Sequence, residues 1–150
     1  VDTTDKESLY HIFWEILRLH HCRAHTLLDE IGVYPGQPPM LFVLNEKDGQ
    51  SQKELADRLN LTPATITVML KRMERSNLVM RKQDEEDQRI SRVYITEEGR
   101  ELYKKTQQVM TNLNDECFEN FTMEERVILR RLLMQMRDNL QEVNNLKSRQ

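Results

Sequence analysis

The tract from Ser51 to Asn77 constrains the fold more than any other part of the chain. Ser51-Gln-Lys-Glu54 has the form of a capping box, in which the serine hydroxyl accepts the N–H three residues on and the glutamate reaches back. It opens the helix SQKELADRLN, with Leu55, Ala56 and Leu59 facing inward. Asn60 and Leu61 then make a tight turn, because asparagine tolerates the left-handed backbone that such a turn needs. Thr62 supplies the next N-cap, and Pro63 takes the first helical position, where its missing N–H costs nothing. The second helix, PATITVMLKRMERS, turns Ile66, Met69, Leu70 and Met73 inward, and Asn77 takes the left-handed helix stop.

The period then changes from helical to alternating. VMRKQ from Val79 and ISRVYIT up to Thr96 read as strands, with Val93 and Ile95 on one face and the polar tip DEEDQ between the runs. Helix, tight turn, helix and hairpin in that order describe a winged helix-turn-helix. On either side the pattern is helical. Thr4-Asp-Lys-Glu7 reads as a capping box for a long first helix through Ile31, carrying Leu9, Ile12, Phe13, Ile16, Leu17, Leu27 and Leu28. Gly32 closes it, and the Pro-Gly and Pro-Pro pairs after it mark a loop before a short helix from Met40 to Glu46. After the wing, one helix runs from Thr96 to about Phe118, with Leu102, Val109, Met110 and Leu113 on its inner face. A capping box at Thr122–Glu125 opens the last, which is expected to bury Val127, Leu129, Leu132, Leu133, Met136 and Leu140. The fold class is therefore mainly α with a small β-hairpin wing. Residues 35–99 are expected to form the winged helix-turn-helix, and 1–34 with 100–150 a helical dimerisation region, since wide apolar stripes on terminal helices need a partner.

Charge sharpens the reading. The net charge is −3, but residues 51–82 hold seven Lys and Arg against three Asp and Glu. Residues 1–50 hold four against eight, and residues 83–150 eleven against fourteen. A basic segment between acidic ones is the footprint of phosphate binding. With Ile66, Leu70 and Met73 buried, the second helix leaves Pro63, Ala64, Thr65, Thr67 and Val68 outside. Small side chains admit a close approach to base edges; Thr67 can hydrogen-bond, and Ala64 and Val68 can touch a thymine methyl. Lys71, Arg72 and Arg75 continue that face toward phosphates. Ser51, Lys53 and Thr62 stand at helix N-termini, where free N–H groups also favour phosphate oxygens.

These residues resemble the MarR family of bacterial regulators over nearly the whole chain. The closest correspondence is in SQKELADRLNLTPATITVMLKRMERSNLV and DEEDQRISRVYITEEGREL. The second stretch matches the family's D-x-R…LT-x-x-G signature through Asp87, Arg89, Thr96 and Gly99. The resemblance implies a homodimer on double-stranded, pseudo-palindromic DNA, most often as a repressor. It makes Arg89 the wing arginine that enters the minor groove, with Asp87 holding it by an ion pair and Gln88 between them. Two departures stand out: Asn77 where glycine is frequent, and Val68 where a basic or polar residue is frequent.

The resemblance also implies an effector. A small aromatic or phenolic ligand would lie between the two regions, lined by Trp14, Arg18, His21, His25, Met40 and Phe42, a cation for a carboxylate beside apolar walls for a ring. Two alternatives stay open. Cys22 is a redox candidate beside His20, His21 and His25, and His21 with His25 has the i, i+4 spacing of a metal pair without further ligands nearby. No cofactor is expected. The two cysteines, Cys22 and Cys117, are far apart and suggest no disulfide framework. No apolar run reaches membrane-spanning length, and the N-terminal residues lack a signal-peptide pattern, so the expected location is the cytoplasm. Four glycines, with no phosphate-binding loop or acid/base motif among them, speak against an enzyme. A protein-interaction module that binds no DNA is the rival of another class.

Overall fold

Every described helix except the second begins where a serine or threonine hydroxyl accepts a backbone N–H that the helix itself leaves orphaned. The computed structural model describes residues 8–34 and 36–147. The order is α1 (Leu9–Glu30), α2 (Gln37–Glu46), β1 (Gln50–Ser51), α3 (Gln52–Leu59), α4 (Pro63–Arg75), β2 (Val79–Gln83), β3 (Ser91–Ile95), α5 (Glu97–Cys117) and α6 (Met123–Lys147). Ser8 caps α1, its Oγ accepting the His11 N–H at 3.2 Å. The helix thus starts later than the sequence pattern suggests, and the box at Thr4–Glu7 lies outside the described residues. The capping boxes at Ser51 and Thr122 form with both reciprocal hydrogen bonds.

α2 is longer than the expected Met40–Glu46. It starts at Gln37 and carries Pro38 and Pro39 in its first turn, where the absent N–H groups have no helical acceptor to lose. The prolines open this helix and do not belong to a loop; Pro35 lies outside the described residues. Asn60 and Asn77 take the left-handed backbone, at φ of 52° and 54°.

The wing is a three-stranded antiparallel sheet in the order β1-β3-β2. Val79 faces Ile95 and Gln83 faces Ser91, while the two-residue β1 adds Gln50 opposite Val93. Sequence pattern did not reveal β1, which is too short to show a period. Its anchor is the buried Gln50, whose amide nitrogen donates to the carbonyls of Val43 at 2.8 Å and Lys47 at 2.6 Å.

One core joins these elements. Met40, Leu41, Val43 and Leu44 of α2 meet Leu55 and Ala56 of α3, Ile66, Leu70 and Met73 of α4, and Leu78, Val79, Val93 and Ile95 of the wing. Met69 is only partly buried. The sheet leaves this core through a tight junction: Thr96 Oγ1 donates to the Asn77 carbonyl at 2.6 Å and accepts the Gly99 N–H at 3.0 Å. A Cβ on Gly99 would overlap the Leu78 carbonyl oxygen, so α5 approaches the end of α4 only because that residue is glycine.

The chain divides into two compact units, residues 1–113 and 114–150, with α5 running across the division. The long helices differ from the sequence expectation in burial. α1 buries no residue, and in α6 Val127, Leu132, Leu133 and Leu140 are exposed, with Leu129 and Met136 half-buried. Their apolar periodicity is helical, as the pattern requires, but a single chain does not cover it. In α5, Leu113 is buried, whereas Leu102, Val109 and Met110 are half-buried. No described helix is long and apolar enough to cross a membrane.

Candidate nucleic-acid interface

The N-terminal half of α4 stands out from the core on the side opposite Ile66, Leu70 and Met73. Thr62 Oγ1 accepts the Thr65 N–H at 3.2 Å and lies 2.9 Å from the Thr65 hydroxyl, which fixes the first turn. Thr62, Pro63, Ala64, Thr65 and Val68 are exposed. Thr67 is half-buried, and its hydroxyl donates to the Pro63 carbonyl at 2.9 Å. Its proton is therefore spent within the helix, and what it offers outward is a lone pair and a methyl group. Farther along α4, Lys71, Arg72 and Arg75 are exposed and take no ion-pair partner among the described residues.

α3, which packs against α4, also exposes part of its first turn. Lys53 is exposed, and Ser51 is half-buried and occupied by its capping box. The Ser51 N–H is the main cause that holds the Glu54 carboxyl below the usual carboxylate range, with Lys47 and Arg92 acting in the same sense.

The wing tip is built by its own side chains. Asp84 Oδ1 accepts the N–H groups of Glu86 and Asp87, both at 2.9 Å, and closes the turn. Asp87 accepts Arg89 Nε and Nη2, each at 2.9 Å, and the Arg89 N–H at 3.0 Å. This bidentate contact is the chief reason the Asp87 carboxyl sits below its usual range, against the opposing influence of Asp84. Yet the Arg89 side chain remains 90% exposed. Gln88 is exposed in the same turn.

Beneath the tip lie ion pairs that sequence reasoning missed. Arg92 pairs with Asp84 through Nε, donates from Nη1 to the Gly49 carbonyl at 3.0 Å, and stands 3.7 Å from Glu54. Arg81 on β2 makes a two-point contact with Glu74 near the end of α4, at 2.8 Å for Nε. Asp48 accepts the Ile95 N–H at 2.9 Å and Arg100 Nη2 at 2.8 Å. Their only sequence signal was opposite charge at separations no single-element period explains.

The effector candidates do not gather in one place. Trp14, Arg18, His21 and Cys22 line an open groove of about 550 Å³ on α1, together with His11, Glu15 and Leu17. Met40 is fully buried in the core, because α2 turns it toward α3 and α4. Phe42 is exposed on α2, and neither it nor His25 lines the groove. His20 is exposed as well, since α1 buries nothing. Cys22 and Cys117 are free and exposed. Among the described residues, no three His, Cys, Asp or Glu side chains converge on a point that could hold a metal ion.

Residues 33–91, the helix-turn-helix and most of the wing, match the model of the MarR family. The uncharacterized HTH-type transcriptional regulator YdgJ of Bacillus subtilis is 31% identical over 117 residues, covering 78% of this chain and 70% of the relative. The chain belongs to the MarR family. An organic hydroperoxide resistance transcriptional regulator of Bacillus subtilis is 38% identical over 79 residues, 53% of this chain and 54% of that protein. The fold agrees with a solved S. aureus MepR variant bound to an oligodeoxyribonucleotide, at a TM-score of 0.67, 22% identity, and coverage of 89% and 98% of the two chains. The protein is thus a MarR-family transcriptional regulator and not an enzyme. Its family signature has a physical content: Asp87 and Arg89 make the wing tip, while Thr96 and Gly99 make the junction that lets α5 leave the sheet.

Proposed function

We propose that this MarR-family regulator binds double-stranded DNA as a homodimer, with α4 in the major groove and Arg89 in the adjacent minor groove. Two observations carry this: an exposed, small-residue row at the start of α4, continued by Lys71, Arg72 and Arg75, and a wing arginine that is held yet solvent-facing. Phosphates would be met by Lys53, by first-turn N–H groups of the helices that Ser51 and Thr62 cap, and by the basic end of α4. Residues 35–99 would bind DNA, and 1–34 with 100–150 would dimerise. The uncovered apolar stripes on α1 and α6 support that division. Two symmetric recognition helices then require a pseudo-palindrome with half-sites about 10 base pairs apart. Selection of bound genomic fragments, repeated across salt concentrations, tests the reading. DNA binding falls steeply with salt through counterion release, whereas binding that barely responds to salt would mark a protein-interaction module instead.

The regulator is proposed to act as a cytoplasmic repressor released by a small aromatic or phenolic ligand. Trp14, Arg18 and His21 in the α1 groove offer a ring contact, a guanidinium and an imidazole N–H for an acidic group. A second reading is thiol oxidation at Cys22, supported by its exposure in the same groove and by the hydroperoxide-resistance relative. Gel shifts of wild type and Cys22→Ser, with and without peroxide or aromatic acids, separate the two. Equal DNA retention under peroxide removes the redox reading.

A further inference from the structure

The wing tip is not anchored by its own hairpin alone. The Asp84 side chain is 13% exposed and closes the turn of the tip, accepting the N–H groups of Glu86 and Asp87. Its other oxygen is taken by Arg92 on β3. The same guanidinium donates to the Gly49 carbonyl just before β1 and stands beside Glu54, the glutamate of the α3 capping box. One side chain therefore touches the wing tip, the edge of the sheet and the first turn of the helix-turn-helix. The linkage runs from Glu54 through Arg92 and Asp84 to the Asp87 N–H, and from the Asp87 carboxylate to Arg89.

We propose that Arg92 is a positioning residue for DNA recognition: it fixes where the Arg89 guanidinium stands relative to α3 and α4. The proposal rests on the DNA-binding reading above. Strand pairing between β2 and β3 sets the hairpin, but it ends at Gln83 and Ser91, before the tip. Beyond that point only side chains and the two backbone bonds from Asp84 to Ile90 and Ile90 to Asp87 hold the turn. A planar guanidinium with five donors can serve three acceptors at once, which a lysine cannot do in the same geometry. Because a fixed separation between wing and recognition helix is what lets both reach one site, loss of the anchor acts through Arg89.

The test compares Arg92→Gln, Arg89→Ala and the double variant on DNA fragments selected with the wild type. Amide hydrogen exchange on the same proteins without DNA serves as a second readout. Arg92→Gln is expected to lower affinity about tenfold, and the double variant to bind no more weakly than Arg89→Ala within about twofold, the coupling expected of residues in one network. Exchange at the Glu86 and Asp87 amides should speed up at least about tenfold while that of Ile66 and Leu70 stays unchanged, and Arg92→Lys should restore part of the protection. Additive losses in the double variant, or unchanged exchange at Glu86 and Asp87, overturn the proposal. If the wild type selects no DNA, the binding reading fails and takes the recognition role with it, while the exchange result still decides whether Arg92 anchors the tip.

Discussion

Arg89 lies flat against Asp87, with Nε and Nη2 each 2.9 Å from a different carboxylate oxygen. The pair is too exposed to contribute much to stability. Its effect is to limit the rotamers of an arginine that must find a narrow groove. Arg89→Ala is therefore expected to weaken DNA binding most on sites with A·T-rich flanks, and Asp87→Asn to weaken it less, because one acceptor oxygen remains. Equilibrium binding to operators with A·T-rich and G·C-rich flanks checks this; equal losses on both would place Arg89 on the phosphate backbone.

Acid should loosen the wing before it unfolds the protein. Asp84 and Asp87 are both held below the ordinary carboxylate range, Asp84 chiefly by Arg92 and Asp87 chiefly by Arg89. For groups whose folded pKa is lowered, the stabilisation is fully present above the unfolded value and is lost as pH falls through the folded one. Amide protection at Glu86 and Asp87 should accordingly be flat from neutral pH down to about pH 5, and fall only below about pH 4. A loss already centred near pH 6 to 7 would point to histidine instead.

Val68 and Lys71 should separate base reading from phosphate binding. Val68 is exposed on the first half of α4, where a methyl group can meet thymine. Val68→Ala is expected to relax preference at one position per half-site by about 1–3 kcal/mol, with the salt slope unchanged. Lys71→Ala should weaken all sequences alike and lower the salt slope by about one. The reverse pattern in a binding-site selection would mean that α4 meets DNA with a different face.

Gly99→Ala should destabilise the fold even though alanine is the better helix former. Propensity favours the change by about 0.5–1 kcal/mol. The added Cβ, however, meets the Leu78 carbonyl oxygen, a backbone atom that also accepts the Thr96 N–H. Overpacking of this kind costs about 1–3 kcal/mol, so the urea midpoint should fall. A rise would show that α5 can shift freely away from the end of α4.

The stripes on α1 and α6 should be a dimer surface. Light scattering at micromolar concentration is expected to give twice the 18.0 kDa chain mass, and Leu132→Glu to shift it toward the monomer by placing an unpaired charge in the interface. A wild-type monomer under those conditions would remove the dimer from the proposal.

The sequence by itself determined the existence of every described helix and of both strands of the hairpin, though it began α2 three residues late. The information there is local: Ser51 and Glu54 close a capping box within one turn, Thr62 and Pro63 start α4, and Asn60 and Asn77 stop helices through their own backbone preferences. Most of the outward face of α4 was legible too, because burying Ile66, Leu70 and Met73 leaves Pro63, Ala64 and Val68 exposed, although Thr67 and Met69 are both half-buried. Tertiary structure decided what depends on partners distant in the chain. The pairing of Gln50 with Val93 creates a strand too short to have a period. Met40 points into the core and leaves the groove that Trp14 and Arg18 share. Thr67 spends its proton on Pro63 once the helix has formed. Arg92 reaches Asp84, Gly49 and Glu54 only after the sheet has brought β1, β3 and the hairpin tip together. Such contacts form between residues whose separation in sequence carries no period. The apolar stripes of α1 and α6 mark the same boundary from the other side: periodicity specified which residues share a face, but carries no information on what covers it.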